Sequence, residues 1–138
     1  MKVLLDTNVI LDVLLERQPH FFASSLVAKA CKTACVGCLA VSQTTDIFYL
    51  LRRDGFSKAA ARESIAHLDE KFELLNTEPT DLRQALTAEM TDFEDALLAF
   101  CAARHGVDFI ITRNVKDFNL SPVPAITPQD FVERYVEK

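Results

Sequence analysis

The chain is poor in everything that builds linkers, spans or exported scaffolds. Three glycines and five prolines in 138 residues leave little room for long turns or flexible connectors. No internal repeat, low-complexity stretch or shift in composition marks a boundary, so a single domain over residues 1–138 is expected. No apolar run approaches the roughly 18 residues that span a bilayer. The opening Met1-Lys2-Val3-Leu4-Leu5 run is cut off by Asp6, well short of the roughly 7–15 apolar residues of an export signal. A cytoplasmic protein with no membrane partner is expected.

Cysteine is scarce as well. The four are Cys31, Cys35, Cys38 and Cys101. Structural zinc needs paired ligand motifs, and here the fourth cysteine is distant and no histidine stands beside the first three. Buried reduced thiols are the expected reading. Net charge is −5, a field that repels phosphate and argues against coating nucleic acid broadly. It does not argue against an enzyme whose acids hold metal ions, because a bound cation reverses the local field.

What the chain does have is apolar material, 49% of its residues, arranged in short runs that alternate with helical patterns. Val3-Leu4-Leu5 reads as a strand, and Asp6-Thr7-Asn8 as capping chemistry for a helix over 9–15. A second helix is expected over 21–32, with Phe22, Leu26, Val27 and Ala30 on one face. A strand is expected at 34–37, and a helix over 42–53 with Ile47, Leu50 and Leu51 inward. Ser57 caps a helix to about residue 68; a strand follows at 72–75 and a helix over 80–88. Thr91-Asp92-Phe93-Glu94 reads as a capping box in which Glu94 reaches back. It opens a helix to His105 with Phe93, Leu97, Phe100 and Cys101 as its core stripe. Gly106 then supplies the left-handed stop. Strands at 108–112 and 122–126 and a helix capped by Thr127-Pro128 complete the chain. Such alternation predicts an α/β fold: three layers, α/β/α, around a mainly parallel sheet of four to five strands.

In open sheets of this kind ligands bind at the carboxyl ends of the strands. Four aspartates fall there or in the first turn of a helix: Asp6, Asp46, Asp95 and Asp117. Each has an ordinary alternative. Asp6 also reads as a helix cap, Asp46 as a solvated helix acid, Asp95 with Asp92 and Glu94 as acids favoured by a helix N-terminus, and Asp117 as a turn acid. Their apolar neighbours, Leu5, Ile47-Phe48, Ala96-Leu97-Leu98 and Phe118, favour burial, and buried acids need partners. Carboxylates gathered together repel unless they share a proton or a cation, and oxygen donors suit magnesium or manganese. Asp92, three residues before Asp95, shares its helix face.

Together these segments resemble the PIN-domain nucleases. Val3-Leu4-Leu5-Asp6-Thr7-Asn8-Val9-Ile10-Leu11-Asp12 looks like that family's opening strand and first acid. Ser42-Gln43-Thr44-Thr45-Asp46 looks like the segment with the second acid, and Asp92-Phe93-Glu94-Asp95-Ala96-Leu97 like the third. Ile111-Thr112-Arg113-Asn114-Val115-Lys116-Asp117-Phe118 resembles the closing motif. Two positions depart from many relatives: Asp46 stands where Glu is frequent, and Asn114 where an Asp directly follows Thr-Xaa. The resemblance implies a divalent-metal-dependent endoribonuclease using Mg2+ or Mn2+. Asp6, Asp46, Asp95 and Asp117 would be catalytic, with Asp6, Asp95 and Asp117 as metal ligands. Thr7, Asn8, Asp92, Thr112 and Asn114 would hold the carboxylates in place, and Arg113 and Lys116 would contact RNA phosphate. Arg52, Arg53 and Lys58 are further candidates for that contact. The family's bacterial members include toxins paired with protein antitoxins, which implies an antitoxin partner.

Two other readings compete. Phosphohydrolases of the haloacid-dehalogenase type also open with a strand ending in Asp, but they place a second Asp two residues on, where this chain has Asn8. A non-catalytic PIN-like module kept for binding or dimerisation is the other. A homodimer is expected from the apolar helices carrying Phe21-Phe22 and Phe48-Tyr49-Leu50-Leu51.

Overall fold

The computed structural model describes residues 1–136. Five strands form one wholly parallel sheet in the order β3-β2-β1-β4-β5: β1 (Lys2–Leu5), β2 (Val36–Ala40), β3 (Glu73–Leu75), β4 (Phe109–Ile111) and β5 (Ala125–Ile126). The helices are α1 (Thr7–Leu14), α2 (Phe21–Thr33), α3 (Gln43–Arg53), α4 (Lys58–Lys71), α5 (Pro79–Thr87), α6 (Phe93–Arg104) and α7 (Pro128–Phe131). A 3-10 turn covers Val115–Phe118, and α7 runs on as a π-helical turn over Val132–Val136.

Apart from Lys2 and Glu73 at the starts of β1 and β3, the strands carry no charged residue, because both faces of the sheet are covered. Alternation along β1 sends Val3 and Leu5 into one core with α1 to α4 and α7, while Leu4 enters a second core under α5 and α6. In β4, Ile111 and Ile110 divide the same way. This is the expected three-layer α/β/α arrangement, with five strands.

Strand order reverses between β1 and β4. From β1 the chain builds outward through β2 and β3, then returns to place β4 and β5 on the other side. That reversal opens a crevice at the carboxyl ends of β1 and β4. Asp6 stands in it, its backbone N–H donating to Ile111 O at 2.9 Å.

Several local expectations hold. Ser57 Oγ accepts the Ala60 N–H at 3.0 Å, Thr127 Oγ1 accepts the Asp130 N–H at 3.1 Å, and Gly106 has φ +71°. Others shift. The second strand is Val36–Ala40 rather than 34–37, because 34 and 35 are needed to wrap the end of α2: both of their N–H groups donate to Ala30 O. The last strand is two residues, not five. The inward face of α2 carries Val27 and Ala30 as expected, together with Ser24, Ala28 and Cys31, whereas Leu26 is only partly buried and Phe22 stands 72% exposed. In α6 the stripe is Ala96, Ala99 and Ala102 with Leu98 and Cys101, and Phe93 is exposed. Alanines let that helix lie close to the sheet, which bulkier residues at the same positions would prevent.

All four cysteines are free thiols, as expected; three are buried, but Cys35 is only half-buried. No helix among the described residues is long and apolar enough to cross a membrane.

Candidate metal and nuclease site

The crevice at the strand ends widens into a cleft of about 400 Å³. Asp6, Asp46, Asp92, Glu94, Asp95 and Asp117 line it, together with Thr7, Asn8, Asn114, Tyr49 and Leu50. The four aspartates singled out in the sequence therefore converge, from β1, α3, α6 and the 3-10 turn. So do Thr7, Asn8, Asp92 and Asn114.

Asp6 is held from two sides. Its Oδ1 accepts the Thr7 N–H at 2.8 Å, and its Oδ2 accepts the Thr112 hydroxyl at 2.8 Å. Thr112 is fully buried, and its Oγ1 also accepts the Asn114 N–H at 3.0 Å. One hydroxyl thus couples the first acid to the closing motif. Capping and site chemistry are not alternatives at Asp6: one oxygen caps α1 while the side chain lines the cleft.

Burial raises the Asp6 carboxyl above its ordinary range; the Thr112 and Thr7 hydrogen bonds and the Arg113 charge oppose this, and the Asp117 charge adds to it. Asp95 is pushed up to about 7, by burial first and then by the charges of Asp92, Asp6, Asp117 and Glu94. Glu94 is raised by burial and by the neighbouring Asp46 charge. Carboxyls that raise one another's proton affinity form a site that a cation would relieve.

The capping of α6 differs from the sequence expectation. Asp92, not Thr91, is the N-cap residue: its Oδ1 accepts the Asp95 N–H at 2.9 Å. The shift of one residue frees Glu94 from reaching back, and it lines the cleft instead. Glu94 was missed because Thr-Asp-Phe-Glu and Asp-Phe-Glu-Asp are equally good capping registers, and only packing against the sheet selects between them.

The basic residues fare differently. Neither Arg113 nor Lys116 lines the acidic cleft. Arg113 Nε lies 3.0 Å from Asp12 Oδ2, and Arg17 Nε lies 3.0 Å from Asp12 Oδ1. Asp12 is fully buried, so one carboxylate binds two guanidiniums below the site. The N–H directions fall outside hydrogen-bond alignment, and the short distances make these ion pairs first. Arg113 is thereby anchored within the fold, where its charge reaches Asp6. Arg17 Nη2 also donates to Asn8 O at 3.2 Å, tying the same network to the cleft wall. Lys116 is exposed. Arg52, exposed, donates from Nη1 to Phe56 O at 3.0 Å and closes its own turn.

Gln43 is a further residue the sequence did not single out. It is 4% exposed. Its Oε1 accepts the Ala40 N–H at 2.8 Å, and its Nε2 donates to Leu5 O at 2.9 Å and Thr7 Oγ1 at 3.3 Å. It clamps the ends of β1 and β2 beside Asp6. A polar residue next to the second acid was the only signal, and it has no periodicity.

The donor set suits a hard divalent ion in type and charge: carboxylates and amide oxygens, with three acids, Asp6, Glu94 and Asp95, whose protons are held up by burial and mutual repulsion. Among the described residues, no three acidic, histidine or cysteine side chains already stand at metal-ligating spacing. The fit is one of donor chemistry rather than of a closed cage.

A family model described as PIN domain matches residues 2–116. Among curated proteins none matches the chain. Solved structures do. A toxin–antitoxin complex from Klebsiella pneumoniae superposes with TM-score 0.70 at 20% identity, over 91% of this chain and 97% of that one. VapBC-1 from nontypeable Haemophilus influenzae gives 0.69 at 15% identity, over 94% and 99%. VapC20 from Mycobacterium tuberculosis, described as a sarcin-ricin loop cleaving toxin, gives 0.67 at 13% identity, over 88% and 98%. At these identities the structures bear on the fold alone, whereas the family model spans most of the sequence and takes in Asp6, Asp46 and Asp95, ending one residue before Asp117. The chain belongs to the PIN-domain family.

Proposed function

We propose that this protein is a divalent-metal-dependent endoribonuclease that hydrolyses phosphodiester bonds in RNA, and that it is the toxin half of a toxin–antitoxin pair. The observation that carries the reading is the convergence of Asp6, Asp46, Asp95 and Asp117 on one cleft at the strand-order reversal. A structural neighbour described as a toxin–antitoxin complex, and one described as a sarcin-ricin loop cleaving toxin, support it.

Asp6 and Asp95 are assigned as the principal ligands of Mg2+ or Mn2+, with Asp117 beside them. A bound ion of this kind supplies a water of lowered pKa and offsets the charge that builds at phosphorus. Thr112 and the Thr7 N–H fix the orientation of the Asp6 oxygens. Asp46 and Glu94, which line the same cleft, would orient a water held there and take up its proton. Asn114, a neutral donor where relatives often carry an acid, lowers the charge on the Asp117 side. Exposed Lys116 is the candidate phosphate contact at the rim; Arg113 acts from below through its charge on Asp6. A protein antitoxin and a second copy of the chain are the proposed partners. Exposed Phe22 and Tyr49 offer apolar surface for such contacts.

The test is cleavage of a mixed RNA substrate with manganese by the wild type, Asp6→Asn and Asp95→Asn. Activity in the wild type and a loss of at least about a hundredfold in each variant are expected. Equal rates in all three would overturn the scheme. Calorimetry with Mn2+ separates it from a non-catalytic module, which would give no binding heat.

A further inference from the structure

Three of the four cysteines fall within eight residues, and the nuclease reading uses none of them. The fold sorts them. Cys31 lies in the last turns of α2, and the chain then folds over the end of that helix. The Ala34 N–H donates to Ala30 O at 2.8 Å and the Cys35 N–H to the same oxygen at 3.1 Å. The Val36 N–H next donates to Met1 O at 2.9 Å and starts β2. This wrap sets the Cys35 Sγ 4.0 Å from the Cys31 Sγ.

The two thiols are unequal. Cys31 is 8% exposed, whereas Cys35 is half-buried and reachable from solvent. Gly37 walls Cys31 in: a Cβ there would come within 2.6 Å of the Cys31 Sγ and 2.8 Å of Phe72 Cδ1. The Cys31 sulfur thus packs against the Gly37 backbone on one side and lies 4.0 Å from the Cys35 sulfur. Cys38 is fully buried in the core on the other face of the sheet, with Leu4 and Ile110, while Cys31 and Cys35 belong to the first core. The sheet itself separates Cys38 from the pair. Cys101 is buried in the second core, its Sγ 3.4 Å from Asn76 O.

We propose that Cys31 and Cys35 are a peroxide-reactive dithiol, with Cys35 the attacking thiolate and Cys31 the resolving thiol, closing reversibly to a disulfide.

The ionisation of the pair agrees with its geometry. Cys35 is held down at about 7, chiefly by the Cys31 hydrogen bond and also by the charge of the N-terminal amine, against the effect of burial. Cys31 is raised by the Cys35 hydrogen bond and by burial. The more accessible sulfur is thus the more readily ionised and the buried one the better holder of its proton, the division of labour such chemistry needs. The oxidant is a hydroperoxide. The Cys35 thiolate attacks its terminal oxygen; an S–O bond forms, the O–O bond breaks, and hydroxide or alkoxide leaves, taking up a proton. The Cys31 sulfur then attacks the Cys35 sulfur. An S–S bond forms, the S–O bond breaks, and the departing hydroxide takes the Cys31 proton as water. Closure draws the sulfurs from 4.0 Å to about 2.05 Å, a movement the connection between α2 and β2 can supply. The pair sits at the amino edge of the sheet, across from the acids at the carboxyl edge, so the proposal does not depend on the nuclease reading.

The experiment treats the full-length folded protein with hydrogen peroxide, blocks free thiols with iodoacetamide and maps the peptides by mass. A Cys31–Cys35 bridge is expected, reversed by dithiothreitol, with Cys38 and Cys101 blocked only after unfolding. Before oxidation, Cys35 should be alkylated at least about tenfold faster than Cys101. Cys31→Ser should leave a sulfenic acid on Cys35 that dimedone traps, and Cys35→Ser should leave Cys31 unoxidised, both with unchanged circular dichroism. A Cys35–Cys38 bridge, a Cys35–Cys35 bond between chains, or sulfinic acid on wild-type Cys35 without a bridge would overturn the proposal. Mn2+ affinity measured before and after oxidation should be unchanged, whatever the outcome of the RNA assay.

Discussion

Replacing Asp12 by alanine tests the ion-pair network beneath the cleft. The carboxylate is fully buried and faces two guanidiniums at 3.0 Å each, from Arg17 and Arg113. Removing one partner of a fully buried pair typically costs ~3–5 kcal/mol, because a charge is left without compensation. Here the arginine side chains are 37% and 28% exposed, so water recovers part of that loss. The N–H directions are also poorly aligned. A destabilisation of about 2–4 kcal/mol follows. With a urea dependence of ~1–3 kcal/mol per molar for a domain of this size, the unfolding midpoint should fall by about 1–2 M. Arg17→Met and Arg113→Met, measured alone and with Asp12→Ala, would show whether each pair couples to the shared carboxylate. A midpoint shift below about 0.3 M in Asp12→Ala, or full additivity in both cycles, would refute the view that Asp12 is the hub. Arg113 would also lose its anchor beside Asp6, so Mn2+ affinity should change in Asp12→Ala and remain near wild type in a variant of exposed Lys58.

Gln43→Ala removes the clamp between the ends of β1 and β2, leaving the Ala40 N–H and Leu5 O without their side-chain partner. A loss of ~1–3 kcal/mol is expected for the stranded groups, read by thermal unfolding; an unchanged melting temperature would show that water replaces the amide. Asp81 governs acid stability. Burial pushes its carboxyl up, but the Arg104 ion pair and the Glu78 N–H outweigh burial and hold it below the usual carboxylate range. A depressed folded-state pKa stabilises above the unfolded value and is lost as pH falls through the folded one. Wild type should therefore lose stability on acidification below about pH 4, and Asp81→Asn should show a shallower slope there in denaturant titrations; parallel slopes would count against the pair.

Much of this molecule was legible in the residues themselves. The fully apolar strands at Val3-Leu4-Leu5 and Phe109–Ile111, set between amphipathic helices, could only be satisfied by a sheet buried on both faces. Ser57, Gly106 and Thr127 act where their local chemistry placed them, because capping bonds and a left-handed glycine are short-range requirements. The aspartates were legible for a similar reason: an acid following an apolar strand, or in the first turn of a buried helix, has few neighbours that could satisfy it.

What local sequence leaves open is which of two satisfactory local solutions the tertiary packing will accept. Thr91 and Asp92 were both able to cap α6; the close approach of an alanine face to the sheet selects Asp92, and that choice swings Glu94 into the cleft. Residues 34 and 35 could extend or turn, and the wrap over the end of α2 makes them turn, bringing Cys35 to Cys31. Asp12 and Arg113 are 101 positions apart and carry no shared pattern. Their pairing exists because β1 and β4 are neighbours in a sheet whose order reverses between them. The sequence by itself determined the layers, the strand ends and the chemical kind of the site. The tertiary structure decided which charges face the cleft, which lie buried beneath it, and which thiols meet, because those depend on contacts between segments that the chain does not place side by side.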